Sequence, residues 1–160
     1  MDSDGYFTIK RNTYHQRVRG DAGNPVFSER MGIKQVVPIA VDMLHDLFGG
    51  SRGVQKPSAK NGRLLHSWDA TDRRAYAAVC ALRPYLRIKS RQADLLIELR
   101  RAKTEKRTGA VTIHDMNSRW GKTVRIGRRR VGPDQIAARQ SLFERVKALN
   151  DTRSLQPKLG

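Results

Sequence analysis

The sequence predicts an α+β fold: a four-stranded sheet, mixed or antiparallel, with helices on one face, and after it a basic segment and a final helix. Three observations point there. Segments with the period of a half-buried strand occur in pairs, each pair is followed by a stripe of helical spacing, and glycine or proline marks most of the boundaries. The order is strand, strand, helix, strand, strand, helix, helix. With 160 residues the chain is about one domain long, enough to bury a core with little to spare.

The first strand is expected over Tyr6 to Asn12, with Phe7 and Ile9 on the core side and Tyr6, Thr8, Lys10 and Asn12 on the other. Thr13 to Pro25 is polar and carries Gly20, Gly23 and Asn24-Pro25, the composition of a long loop. A second strand follows over about Val26 to Gln35, with Met31 and Ile33 inward and Arg30, Gly32 and Lys34 outward. Pro38 can open a helix that buries Val41, Leu44, Leu47 and Phe48 and stops at Gly49-Gly50. Gly53 to Lys56 and Arg63 to Asp69 are the next two strands, with Asn61-Gly62 between them as a tight-turn dipeptide. Thr71 is expected to cap a helix that buries Tyr76, Val79 and Leu82 and ends before Pro84. The last core helix spans about Ser90 to Arg101, with Ala93, Leu96, Ile97 and Leu99 apolar.

Beyond the core, taken as residues 1–101, residues 102–131 are dense in Lys and Arg. Apart from Val111 to Ile113 they show little periodicity, as a basic linker or DNA-contacting segment would. Gly132-Pro133-Asp134-Gln135 is a helix start, and Ile136, Leu142, Phe143, Val146 and Leu149 form its apolar stripe over residues 132–150. Residues 151–160 are expected to be a frayed tail.

Lys and Arg total 32 against 15 acidic residues, a formal net charge of +17. That imbalance calls for a polyanion, and nucleic acid is the natural one. No apolar run approaches the roughly 20 residues of a membrane-spanning helix and no signal-peptide pattern opens the chain, so a soluble protein of the cytoplasm or an organelle interior is expected, with no membrane partner. The single cysteine, Cys80, is expected at a buried helical position, which excludes disulfides within the chain and a Cys-based zinc site. His15, His45, His66 and His114 lack ligand spacing.

Two segments carry chemistry. Met1-Asp2-Ser3-Asp4-Gly5 places two carboxylates and a glycine at the mouth of the first strand, a pattern that by itself also suits a solvated terminus. The second is Pro84-Tyr85-Leu86-Arg87-Ile88-Lys89-Ser90-Arg91-Gln92-Ala93, in which Arg87, Lys89 and Arg91 by themselves also suit a solvated basic rim. Together they resemble the LAGLIDADG homing endonucleases, in which a helix ending in Asp-x-Asp-Gly feeds the first strand and a Pro-Tyr/Phe-Leu-x-x-Lys-x-x-Gln-Ala segment begins the last core helix. The resemblance runs from Met1 to about Arg101, and its second motif is the more specific. It implies a single-motif, homodimeric enzyme that cuts double-stranded DNA with Mg²⁺ or Mn²⁺. It also puts most of the dimerisation helix upstream of Met1: either the reading frame starts there, which is the expectation, or the chain is a truncated relic that neither dimerises nor cleaves.

The resemblance assigns Asp4 as metal ligand and catalytic residue, Asp2 as support, and Gly5 as the point where backbone approaches metal and phosphate. Lys89 would stand beside the scissile phosphate, and Gln35 would help position water. A single Asp per subunit is chemically adequate, because Mg²⁺ takes one or two carboxylates and completes its shell with water and phosphate oxygens. DNA would lie on the outward sheet face, with Thr8, Lys10, Asn12, Arg30 and Lys34 as base readers; the same residues also suit an ordinary wet sheet face. Two competing functions remain at this level: a non-catalytic module on the same fold, as an RNA maturase or transcription regulator, and a generic basic RNA-binding protein.

Overall fold

The computed structural model describes residues 5–12, 24–57, 62–105, 111–118 and 121–151, with residues 111–129 described by their backbone alone. Its elements are β1 (Gly5–Asn12), β2 (Val26–Gln35), α1 (Ile39–Phe48), β3 (Ser51–Gln55), β4 (Leu65–Thr71), α2 (Asp72–Leu82), a 3-10 turn (Arg83–Tyr85), α3 (Ser90–Thr104), β5 (Val111–Ser118), β6 (Gly121–Arg129) and α4 (Pro133–Asp151). The first four strands form one sheet in the order β1-β2-β4-β3, and every neighbouring pair is antiparallel. Among the described residues no helix is long and apolar enough to cross a membrane.

Alternation decides which face is dry. Phe7 and Ile9 of β1, Phe27, Met31 and Ile33 of β2, and Trp68 and Ala70 of β4 are all buried, and the register sets Phe7 against Met31 and Met31 against Ala70. The helices cover this face: α2 packs on β2, α1 on β4, and α3 and α4 on β1. Leu96 and Leu99 of α3, Val79 of α2 and Val146 of α4 complete the core. The indole of Trp68 donates to the Gly49 carbonyl at 2.7 Å, which joins the end of α1 to the sheet. Gly49 (φ 66°) and Gly50 (φ 110°) turn the chain there through a region that residues with a Cβ rarely adopt.

Several expectations need correction. Leu47 is not buried: with Ile39 and Met43 it forms an exposed stripe, because α1 turns Val41, Leu44 and Phe48 inward instead. Cys80 is exposed, since the stripe Ala75, Ala78 and Val79 faces the core and Cys80 lies one residue round the helix from it. Thr71 makes no capping hydrogen bond; the chain enters α2 through Asp72 in the left-handed region (φ 57°), and the Asp72 carboxylate is held instead by Arg100 and Lys103. The strands β3 and β4 begin two residues from where they were expected, and their register runs from Ser51 opposite Asp69 to Gln55 opposite Leu65. The connection is therefore longer than an Asn-Gly turn, and Asn61 lies outside the described residues.

The basic segment expected to be a linker contains an antiparallel hairpin, β5 with β6, with a register shift between Val111 and Ile113. The final helix is part of the core and not an appendage. Leu142 and Val146 are buried, Asn150 donates to the Phe7 carbonyl at 3.1 Å, and Arg139 donates to the Ala102 carbonyl at 2.9 Å.

Candidate metal corner and nucleic-acid interface

The turn between α2 and α3 carries the Pro84-to-Ala93 motif and sets the position of Lys89. Pro84 stops α2 and the 3-10 turn follows, while Arg83 and Asp94 lock the segment onto α3 through a guanidinium–carboxylate pair at 2.8 Å. Leu86 is anchored in the core, Arg87 and Arg91 remain in solvent, and Lys89 turns inward to 4% exposure. Its ammonium donates a hydrogen bond to the Gly5 carbonyl, 84 residues away in the chain. A lysine is almost never buried without partners, because removing its charge from water costs several kcal/mol. Lys89 therefore does not belong to a solvated rim with Arg87 and Arg91.

Gly5 lies opposite Ile33 at the start of β1, and Gln35 stands two positions further along β2, half-buried and opposite His66. Gly5, Gln35 and Lys89 thus belong to one end of the sheet. Asp2 and Asp4 lie outside the described residues. Among the described residues no three His, Cys, Asp or Glu side chains cluster as metal ligands. The Gly5 carbonyl and the Gln35 amide are hard oxygen donors, the class that Mg²⁺ takes, and the carboxylates expected beside them fall on residues outside the described ones.

The opposite face of the sheet is laid out in rows by the register. Thr8, Arg30 and Thr71 make one row; Tyr6, Gly32, Asp69 and Ser51 the next; Lys34, Ser67 and Gly53 a third. Lys10 and Asn12 continue the face along β1, both exposed. Thr8 is half-buried, and Lys34 reaches over Ser67 to donate to the Gln55 amide oxygen at 3.1 Å. All five expected base readers therefore share one face.

Three residues that sequence reasoning left without a role organise that face. Arg30 Nε donates to Asp69 Oδ1 at 2.9 Å with Nη2 in ion-pair contact at 2.8 Å, its Cζ lies 5.6 Å from the centre of the Tyr6 ring, and the Tyr6 hydroxyl donates to the same Oδ1. Partial burial and the bond to Asp69 push the Tyr6 phenol well above its ordinary pKa, so it stays a donor. Gly32 makes the crossing possible, for a Cβ there would lie 2.9 Å from Tyr6 Cζ and collide with the Trp68 carbonyl. Alternation along β4 already placed Asp69 outward, but only the pairing register puts Tyr6 and Asp69 on either side of Gly32. Beside this cluster a cleft of about 620 Å³ is lined by Lys10, Arg30, Asp69, Asp72, Arg73 and Arg74, among others.

No protein-family model matches the sequence, and no curated protein matches it significantly. Solved structures do. The homing endonuclease I-CvuI in complex with the I-CreI target in the presence of Mg, its DNA not cleaved, aligns with a TM-score of 0.59 at 13% identity, over 92% of this chain and 75% of that one. I-CvuI with its own target in the presence of Ca gives 0.55 at 15% identity, again over 92% and 75%. The archaeal intron-encoded homing endonuclease I-Vdi141I complexed with DNA gives 0.56 at 8% identity, over 92% and 77%. The fold read from the two motifs is the fold of the chain: an α+β, antiparallel homing-endonuclease architecture.

Proposed function

We propose that this chain, built on the LAGLIDADG homing-endonuclease fold, is a sequence-specific DNA endonuclease that hydrolyses phosphodiesters with a divalent ion and leaves a double-strand break. The observation that carries the proposal is the buried Lys89 ammonium on the Gly5 carbonyl, directly after Asp4 in the chain. Burying an ammonium costs several kcal/mol, and a cation placed to meet a phosphate is a use that offsets that cost.

The residues divide the work by position. Gly5, lacking a side chain, admits phosphate close to the backbone at the mouth of β1. Lys89 offsets charge that develops on the phosphate, and Gln35 orients solvent. Asp4, with the Gly5 carbonyl, would hold Mg²⁺ or Mn²⁺, which supplies an activated water and charge neutralisation when bound. The outer face of the sheet lies in the major groove, with Thr8, Lys10, Asn12, Arg30 and Lys34 toward base edges, while the remaining cations meet phosphates. One such corner serves one strand, so two subunits are needed for a double-strand break, and a homodimer on a nearly palindromic site supplies them. An intron or phage mobile element in a host cell or organelle interior is the fitting context.

The test is Mg²⁺-dependent cleavage of a pooled duplex library. The chain would be assayed as written and with its reading frame extended upstream, each beside an Asp4→Asn variant. Cleavage that Asp4→Asn abolishes supports the proposal. Tight, selective binding with intact DNA in every reaction favours a non-catalytic regulator, and preference for RNA over duplex DNA favours the maturase reading.

A further inference from the structure

Asp69 is the only carboxylate among the described residues on the outer face of β1 to β4. On a surface meant for DNA a carboxylate is repelled by phosphates, so it needs a task that outweighs the repulsion. Its Oδ1 accepts hydrogen bonds from Arg30 Nε and the Tyr6 hydroxyl and lies in ion-pair contact with Arg30 Nη2. A guanidinium has five N–H groups in a fixed plane. With the Nε and Nη2 side of the guanidinium turned to Asp69, the edge formed by Nη1 and the outer Nη2 hydrogen keeps two parallel donors. The Tyr6 ring limits the tilt of that plane, and Arg30 keeps 41% side-chain exposure.

Resting on the DNA-binding reading above, we infer that Tyr6, Asp69 and Arg30 form a preset guanine reader, in which Arg30 meets O6 and N7 of one guanine and Asp69 and Tyr6 act as positioning residues. Two parallel donors match the two acceptors that guanine alone presents along its major-groove edge. An unsupported arginine loses side-chain entropy when it forms such a pair; here the protein has fixed it beforehand. Gly32 belongs to the unit as the gap over which Tyr6 reaches Asp69. A phosphate could take the same two donors, and Lys10, Arg73 and Arg74 around the neighbouring cleft are better placed for that, being free of the Asp69 contact.

The experiment is selection from a random duplex library without metal, with sequencing of the bound fraction. The proteins are the wild type, Arg30→Ala, Asp69→Asn and Tyr6→Phe, each checked by thermal melting. The wild type is expected to prefer guanine at one position that Arg30→Ala relaxes by roughly 5- to 150-fold while other positions keep their preference. Asp69→Asn and Tyr6→Phe are expected to relax the same position by smaller factors, and Tyr6→Phe carries this arm if Asp69→Asn does not fold. A loss of affinity uniform across sequences, with a shallower salt dependence, would place Arg30 on a phosphate and overturn the inference. A selective wild type whose profile Arg30→Ala leaves unchanged overturns it too, with the DNA reading intact; a wild type with no sequence preference overturns both.

Discussion

Lys89 joins two distant segments, and under the proposed function it also carries chemistry. It is buried and its ammonium donates to the Gly5 carbonyl, so removing it leaves that carbonyl short of a donor. Lys89→Met is expected to lower stability by about 1–3 kcal/mol in urea unfolding, to keep the fold and to lose DNA cleavage; a folded variant that still cleaves would make Lys89 structural. Glu29 is the contrasting case. It has no exposure and pairs with Arg100 and Lys103, each at 2.9 Å, while both cations also hold Asp72. Glu29→Ala leaves two largely buried cations with only the exposed Asp72, and should cost about 3–5 kcal/mol in urea unfolding. The hydrogen bond from Lys103, and after it that from Arg100, holds the Asp72 carboxyl below its ordinary 3.8 against the pull of partial burial. The unfolded chain thus takes up this proton first, and the contribution is present above that value and lost as pH falls through the lower folded one. Asp72→Asn should weaken the acid dependence of the urea midpoint in that window and leave the slope near neutrality unchanged.

At the scale of elements, the sequence was most informative where a pattern is local. The alternation of Phe7, Ile9, Met31 and Ile33 fixed the dry face of β1 and β2, and Pro84 fixed the end of α2. It was least informative where partners are distant: neither the bond from Lys89 to Gly5 nor the row Tyr6–Gly32–Asp69 follows from any period, because both need the tertiary pairing. The resemblance singled out Lys89 and Gly5 separately, without the bond between them, and nothing supplied the row. The hairpin β5–β6 escaped because basic side chains interrupt its alternation, although Val111 and Ile113, and Val124 and Ile126, are each two residues apart. Gly32 offers the sharpest test at this scale. A Cβ there meets strand backbone that cannot rotate away, so Gly32→Ala should destabilise the fold by about 2–3 kcal/mol, read by chemical denaturation.

At the scale of the whole molecule, the proposed function makes affinity for duplex DNA a matter of counterion release, given the net charge of +17 and the face carrying Lys10, Arg30 and Lys34. Binding through six to ten phosphates would weaken by about 10³- to 10⁵-fold between roughly 50 and 200 mM salt. Composition alone points to a polyanion, but not to a surface for it; among the described residues the helices lie on one side of the sheet, and the proposed function puts the DNA on the other. The most direct check of that geometry is fluorescence anisotropy with a selected duplex, comparing Lys10→Glu and Lys34→Glu on the open face with Lys147→Glu on α4, all three exposed in the folded chain. The open-face reversals should each weaken binding by tenfold or more, about 1.4 kcal/mol, with little effect from Lys147→Glu. Equal losses from all three, or a larger loss from Lys147→Glu, would contradict DNA lying on the outer face of the sheet.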